Sequence, residues 1–157
     1  MNSYTLLQTF LALHLTGLVL MAGTIVVDSM IYRAFWQQYN TDRERSVNLL
    51  AVSGKFGRVT GIGAALIILT GVGMMAVTHG VFGEQLWFRI KFGLVILLIV
   101  INLMARRRGL KLRKVIVLTD PGSSTFVINA RAFLGRYFTT AFAIFFLIIL
   151  LSVFKFN

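Results

Sequence analysis

The sequence predicts an all-α, polytopic membrane protein: a bundle of four transmembrane helices with both termini outside. Three observations carry that prediction. Of the 157 residues, 57% are hydrophobic and only 13% are charged, whereas a soluble domain is about 45–50% apolar and about 25% charged. The mean hydropathy is +0.82, and the excess is gathered into four blocks, each near the roughly 20 residues a helix needs to cross hydrocarbon. The basic residues cluster in two of the three connections, as the positive-inside rule requires of a membrane bundle.

The first block runs from about residue 6 to 32, Leu6–Tyr32, and the helix is expected to continue towards Tyr39, because no glycine or proline lies between Tyr32 and Asn40. It lacks a basic leading region and ends in Tyr32-Arg33-Ala34-Phe35-Trp36, so it reads as a membrane helix rather than a cleaved signal. The second spans about 57–77, the third about 86–105 and the fourth about 132–154. The turn at Thr78–Gln85 is short and holds two glycines, while loops 33–56 and 106–131 read as basic cytoplasmic connections. Together these make a single domain over residues 1–157, in a bacterial inner membrane. Trp36, Tyr39, Trp87 and Tyr137 suit interfacial positions.

A net charge of +11 might point to nucleic acid in a soluble protein. Here Arg106, Arg107, Arg108, Lys111, Arg113 and Lys114 directly follow the third block, and Arg33, Arg43, Arg45, Lys55 and Arg58 surround the first loop. Juxtamembrane clusters of this kind attract anionic lipid head groups, so nucleic-acid binding is set aside. The chain has no cysteine, which excludes disulfides and thiolate chemistry.

Two of the ionisable side chains within the apolar blocks are the best handle on function. His14 lies inside the first and Lys91 inside the third, and such groups usually face a bundle interior, a cavity or a cofactor. At 1.5 Å per residue from the outer face, His14 is about 12 Å deep and Lys91 about 7 Å deep. The two can line one pocket in the outer half of the bundle. His14, Gly17, Met21, Thr24 and Asp28 follow a three–four spacing and fall within about 80° of one face, a small and polar seam that points inward. Gly57, Gly61 and Ala65 form a small-residue row of the type that lets helices approach closely.

Each of these residues has more than one reading. His14 is a packing imidazole, or a haem ligand, proton relay or metal ligand, with haem favoured because imidazole is its usual axial ligand. Lys91 either snorkels outward or partners an anionic group such as a haem propionate. His79 reads as a surface-loop histidine, about 10 Å from the depth of His14, which argues against bis-histidine ligation. Asp28 reads as an interfacial ion-pair partner of Arg58 or Arg33, with proton transfer as its second reading. Met21, Met74 and Met75 are thioethers of the kind that suit copper(I), or simply fill the core.

The pattern of His14, Gly23, Thr70-Gly71 and Trp87-Phe88-Arg89-Ile90-Lys91 resembles the HemJ-type protoporphyrinogen oxidases and the related CopD-like copper-resistance membrane proteins. The ending Ser152-Val153-Phe154-Lys155-Phe156 resembles the HemJ tail. The resemblance implies a four-helix scaffold that binds b-type haem, with His14 and Lys91 as the essential pair; Gly17, Met21 and Gly71 are the further candidate contacts of such a cofactor. The chain departs from the HemJ pattern at Met21-Ala22, where HemJ has a tryptophan. It departs again at Asn102, where HemJ has a histidine, and at Leu134–Thr139, where HemJ has an Asn-Glu-Pro-like motif.

Three functions follow as expectations. The first is a haem-binding protein of redox or porphyrin chemistry. The second is a non-catalytic accessory subunit of a larger membrane complex, or a homo-oligomer. The third is copper or small-solute transport.

Overall fold

A computed structural model describes residues 2–39, 41–78, 85–118 and 125–154. His79, Pro121 and the Lys155-Phe156 tail lie outside the described residues. The order is α1 (Ser3–Gln38), α2 (Arg43–Val77), α3 (Leu86–Leu118) and α4 (Thr125–Val153). All four are long and apolar enough to cross a membrane, and the protein is a four-helix bundle. α1 packs most extensively on α2 and α3 on α4; α2 meets α3 less, and α1 touches α4 least.

The helices outrun the spans expected from hydropathy. α1 has 36 residues and α2 has 35, lengths of about 50 Å against a hydrocarbon core of about 30 Å. The surplus lies at the end where the basic residues gather, the basic end. Most of the expected loops 33–56 and 106–131 is therefore helix. The physical reason is twofold. Arg, Lys, Leu and Glu are good helix formers, and the apolar residues among them seal a core of their own. Phe35, Ser46, Leu112 and Ile116 are fully buried there, with Val127 and Ala130 beside them. Asp42 caps α2 by accepting from the Arg45 backbone N–H at 3.0 Å, which satisfies one of the helix's orphan donors.

Aromatic rings close the basic end. Phe35 and Trp36 meet edge to face with centroids 4.8 Å apart, Tyr39 joins them, and the Arg131 guanidinium covers the Trp36 ring at 4.9 Å. Trp36 and Tyr39 thus pack as a half-buried cluster at that end. Tyr137 departs from its expected interfacial position. It is buried between α3 and α4 and its hydroxyl accepts from Asn102 Nδ2 at 2.9 Å. A tyrosine whose hydroxyl finds a partner inside the bundle has no need of the interface.

The inward seam of α1 meets a matching seam on α2 built from Thr60, Gly63, Ile67 and Thr70, all buried. At Gly17 and Gly63 the two backbones touch. A Cβ on Gly17 would come within 2.9 Å of the Gly63 carbonyl oxygen, and one on Gly63 within 2.8 Å of the Gly17 oxygen. The expected small-residue row of Gly57, Gly61 and Ala65 is not this crossing. Gly61 and Ala65 are exposed, Gly61 has open space beside it, and Gly57 lies under the Arg106 side chain. Two residues are about 200° on a helix, so Gly61 and Gly63 face opposite ways.

Candidate functional site

Far from the basic end, α1, α2 and α3 enclose a cavity of about 350 Å³, within the roughly 300–1,000 Å³ of small-molecule sites. α1 contributes Leu7, Leu11 and His14; α2 contributes Ile67, Ile68, Gly71, Val72, Met74 and Met75; α3 contributes Trp87, Phe88, Lys91, Phe92 and Val95. His14 and Lys91 therefore line one cavity, in walls that are otherwise almost wholly apolar. Leu11, Val72 and Phe92 are about half exposed, so the cavity opens sideways, where lipid surrounds a membrane bundle.

The imidazole is held, and its partner sets its tautomer. His14 Nδ1 lies 2.9 Å from Thr70 Oγ1. The single Thr70 hydroxyl hydrogen is committed to the Leu66 carbonyl one turn back, which leaves the Thr70 oxygen as an acceptor. Nδ1 must then donate, with the Ile67 carbonyl as a further acceptor beside the ring. Nε2, on the other side of the ring, carries the lone pair, the arrangement by which a neutral histidine becomes a metal ligand. Gly71 makes room for the ring: a Cβ there would stand 3.7 Å from His14 Cε1.

Trp87 opens α3 buried, with its Nε1–H donating to Gln85 Oε1 at 2.6 Å, and forms one wall of the cavity. Two expected site residues are elsewhere. Gly17 and Met21 do not line the cavity; Gly17 is the backbone crossing with Gly63, and Met21 is buried against it. The three–four seam joins them to His14 as a packing surface, and the cavity begins only where that seam ends. Met74 and Met75 line the cavity with His14, so the copper(I) expectation keeps two of its thioethers and loses Met21.

Asp28 is not the ion-pair partner expected of it. Its Oδ1 accepts from Ser53 Oγ at 2.8 Å, and neither Arg33 nor Arg58 takes that place. Among the described residues, no three His, Cys, Asp or Glu side chains come together as a metal site. Sequence reasoning missed Thr70 as the residue that fixes the imidazole. The available signal was a hydroxyl in an otherwise apolar run, on the face of α2 that points to His14.

Comparisons with protein-family models, with curated proteins and with solved structures find no match.

Proposed function

We propose that the chain is a multi-pass protein of the bacterial inner membrane, of HemJ- and CopD-like type, that binds b-type haem in the cavity far from the basic end. The observation that carries this reading is the Thr70-held imidazole of His14, with its Nε2 lone pair, in the same apolar cavity as Lys91. The residues fit the group. His14 Nε2 would ligate the iron, and the Lys91 ammonium would partner a propionate. Trp87, Phe88 and Phe92 supply apolar walls that keep water from the macrocycle, and Gly71 leaves the ring face open. Haem bound there would supply one-electron redox chemistry. The protein's part is to fix the ligand tautomer, exclude water and anchor the anionic edge. The arginines of the basic end face the cytoplasm on this reading and engage anionic lipid head groups.

The test is an oxidised and dithionite-reduced visible spectrum of protein gently purified from a haem-sufficient host. A Soret band with reduced α and β bands is expected, absent in His14→Ala and weakened in Lys91→Gln. A flat spectrum from folded wild-type protein, even after haem is supplied, overturns it.

One observation favours a second reading. His14, Met74 and Met75 line the same cavity, and imidazole with two thioethers is a donor set that suits copper(I). That reading predicts stoichiometric copper in the purified protein, lost in a Met74→Leu, Met75→Leu double variant, and no Soret band.

A further inference from the structure

A second cavity lies at the basic end of the bundle, between the α1–α2 pair and the α3–α4 pair. Its volume is about 90 Å³. That is far below the roughly 300 Å³ at which small-molecule sites begin, yet enough for several waters at about 10–15 Å³ each on this measure. Its lining is mixed where the first cavity's is almost wholly apolar. Asp28, Ser53, Thr60, Asn102, Arg106 and Tyr137 supply hydroxyl, amide, guanidinium and carboxylate groups.

The cavity has a floor and a mouth. Thr60, Asn102 and Tyr137 form the inner end, where Thr60 donates to Thr24 at 3.0 Å and Asn102 donates to Tyr137. Gly54, Arg106 and Arg113 are exposed and form the outer end. Asn102 and Arg113 are eleven residues apart on one helix, which makes the vestibule about 16 Å long. Arg106 spans the mouth by donating from Nη1 to the Gly57 carbonyl at 3.3 Å.

Asp28 faces this space, and among the described residues its side-chain hydrogen-bond partner is neutral, the Ser53 hydroxyl. A carboxylate inside a membrane span needs a counter-charge, water or a proton. We propose that this cavity is a water-filled proton-binding site open to the solvent at the basic end, with Asp28 as the group that takes up and releases the proton. The step is an acid–base exchange. A proton borne by a pocket water passes to Asp28 Oδ2, forming the O–H bond of a carboxylic acid and leaving neutral water, and release reverses it; no electron moves.

The titratable or charged groups facing the site from each helix are Tyr32 on α1, Arg106 and Arg113 on α3, and Tyr137 on α4, with only hydroxyls on α2. The site ends before the haem cavity. Met21, Ile25 and Leu98, all buried, lie between the two along their helices. The proposal therefore stands without any cofactor in the other cavity.

Infrared difference spectroscopy of the intact protein in nanodiscs, stepped between acid and alkaline buffer, tests this directly. The chain has only five Asp and Glu residues, and Asp28 is the one within the four apolar blocks, so its carboxylic C=O stretch is assignable by its loss in Asp28→Asn. The expected result is a protonated-carboxyl band that appears on acidification and shifts in D2O within seconds. It should vanish in Asp28→Asn and move in frequency in Tyr137→Phe. Should Asp28→Asn fail to assemble, Asp28→Glu keeps the group and must displace the band. A wild-type carbonyl region that does not change with pH, or a band indifferent to D2O, overturns the proposal.

Discussion

The two cavities are built on the same four helices and are opposite in almost every respect. The larger is almost wholly apolar, opens sideways and holds an imidazole and an ammonium; the smaller mixes polar groups with apolar ones, opens at the basic end and holds a carboxylate. Between them α1 and α2 meet closely, at the Gly17–Gly63 crossing and the buried Met21 and Ile25. The difference teaches how little sequence is needed to change a bundle's chemistry. α1 carries His14 and Asp28 on one seam, fourteen residues apart, and what each one meets is decided by the opposing helix. His14 meets Thr70 across apolar walls; Asp28 meets Ser53 beside polar ones.

The sharpest way to break this arrangement is to force the crossing apart. Gly63→Leu drives a branched side chain into the Gly17 backbone and should cost about 3 kcal/mol or more. Thermal unfolding in mild detergent should show a large loss of stability and loss of both cavities' signatures. Gly61→Leu, two residues away on the exposed face, should behave as wild type. Equal damage from both would mean that the exposed row is the true contact.

At the basic end, Leu112→Ala removes a fully buried side chain and should destabilise by about 2–5 kcal/mol. Chemical denaturation would measure that loss, while the spectrum of the other cavity stays unchanged in the folded fraction. Within the larger cavity, Thr70→Val keeps the volume but removes the acceptor that holds the His14 tautomer. Ligand affinity by titration should fall about 10–100-fold, as for other groups that orient a metal-binding histidine. The smallest effect belongs to Tyr137→Phe. Its hydrogen bond with Asn102 should be worth about 0.6 kcal/mol within a membrane bundle, near the limit of a stability measurement and visible mainly in the infrared band of Asp28.

The architecture was legible because hydropathy and charge act over whole segments. Four apolar blocks, the inward seam of α1 and the shared cavity of His14 and Lys91 follow from period and depth alone. What the sequence concealed lies in pairings across helices. Nothing within α2 says that Gly63 rather than Gly61 meets α1, because a 200° choice of face depends on the partner. Ser53 in place of an arginine at Asp28, and Asn102 beside a buried Tyr137, are likewise contacts between distant segments. The basic loops read as loops because a charged helix is invisible to hydropathy, although their buried Phe35, Leu112 and Ile116 recur as an amphipathic helix does.

One bundle thus holds a lipid-open cavity and a solvent-open cavity with a packed seam between them. The chain has no native cysteine, so single cysteines report accessibility without background. Gly71→Cys and Ser53→Cys would each be treated in nanodiscs with a charged, impermeant thiol reagent and with an apolar, lipid-soluble maleimide. The account predicts that Ser53→Cys reacts with the charged reagent, whereas Gly71→Cys reacts only with the lipid-soluble one. Reaction of both with the charged reagent, or a silent Ser53→Cys in folded protein, would contradict it.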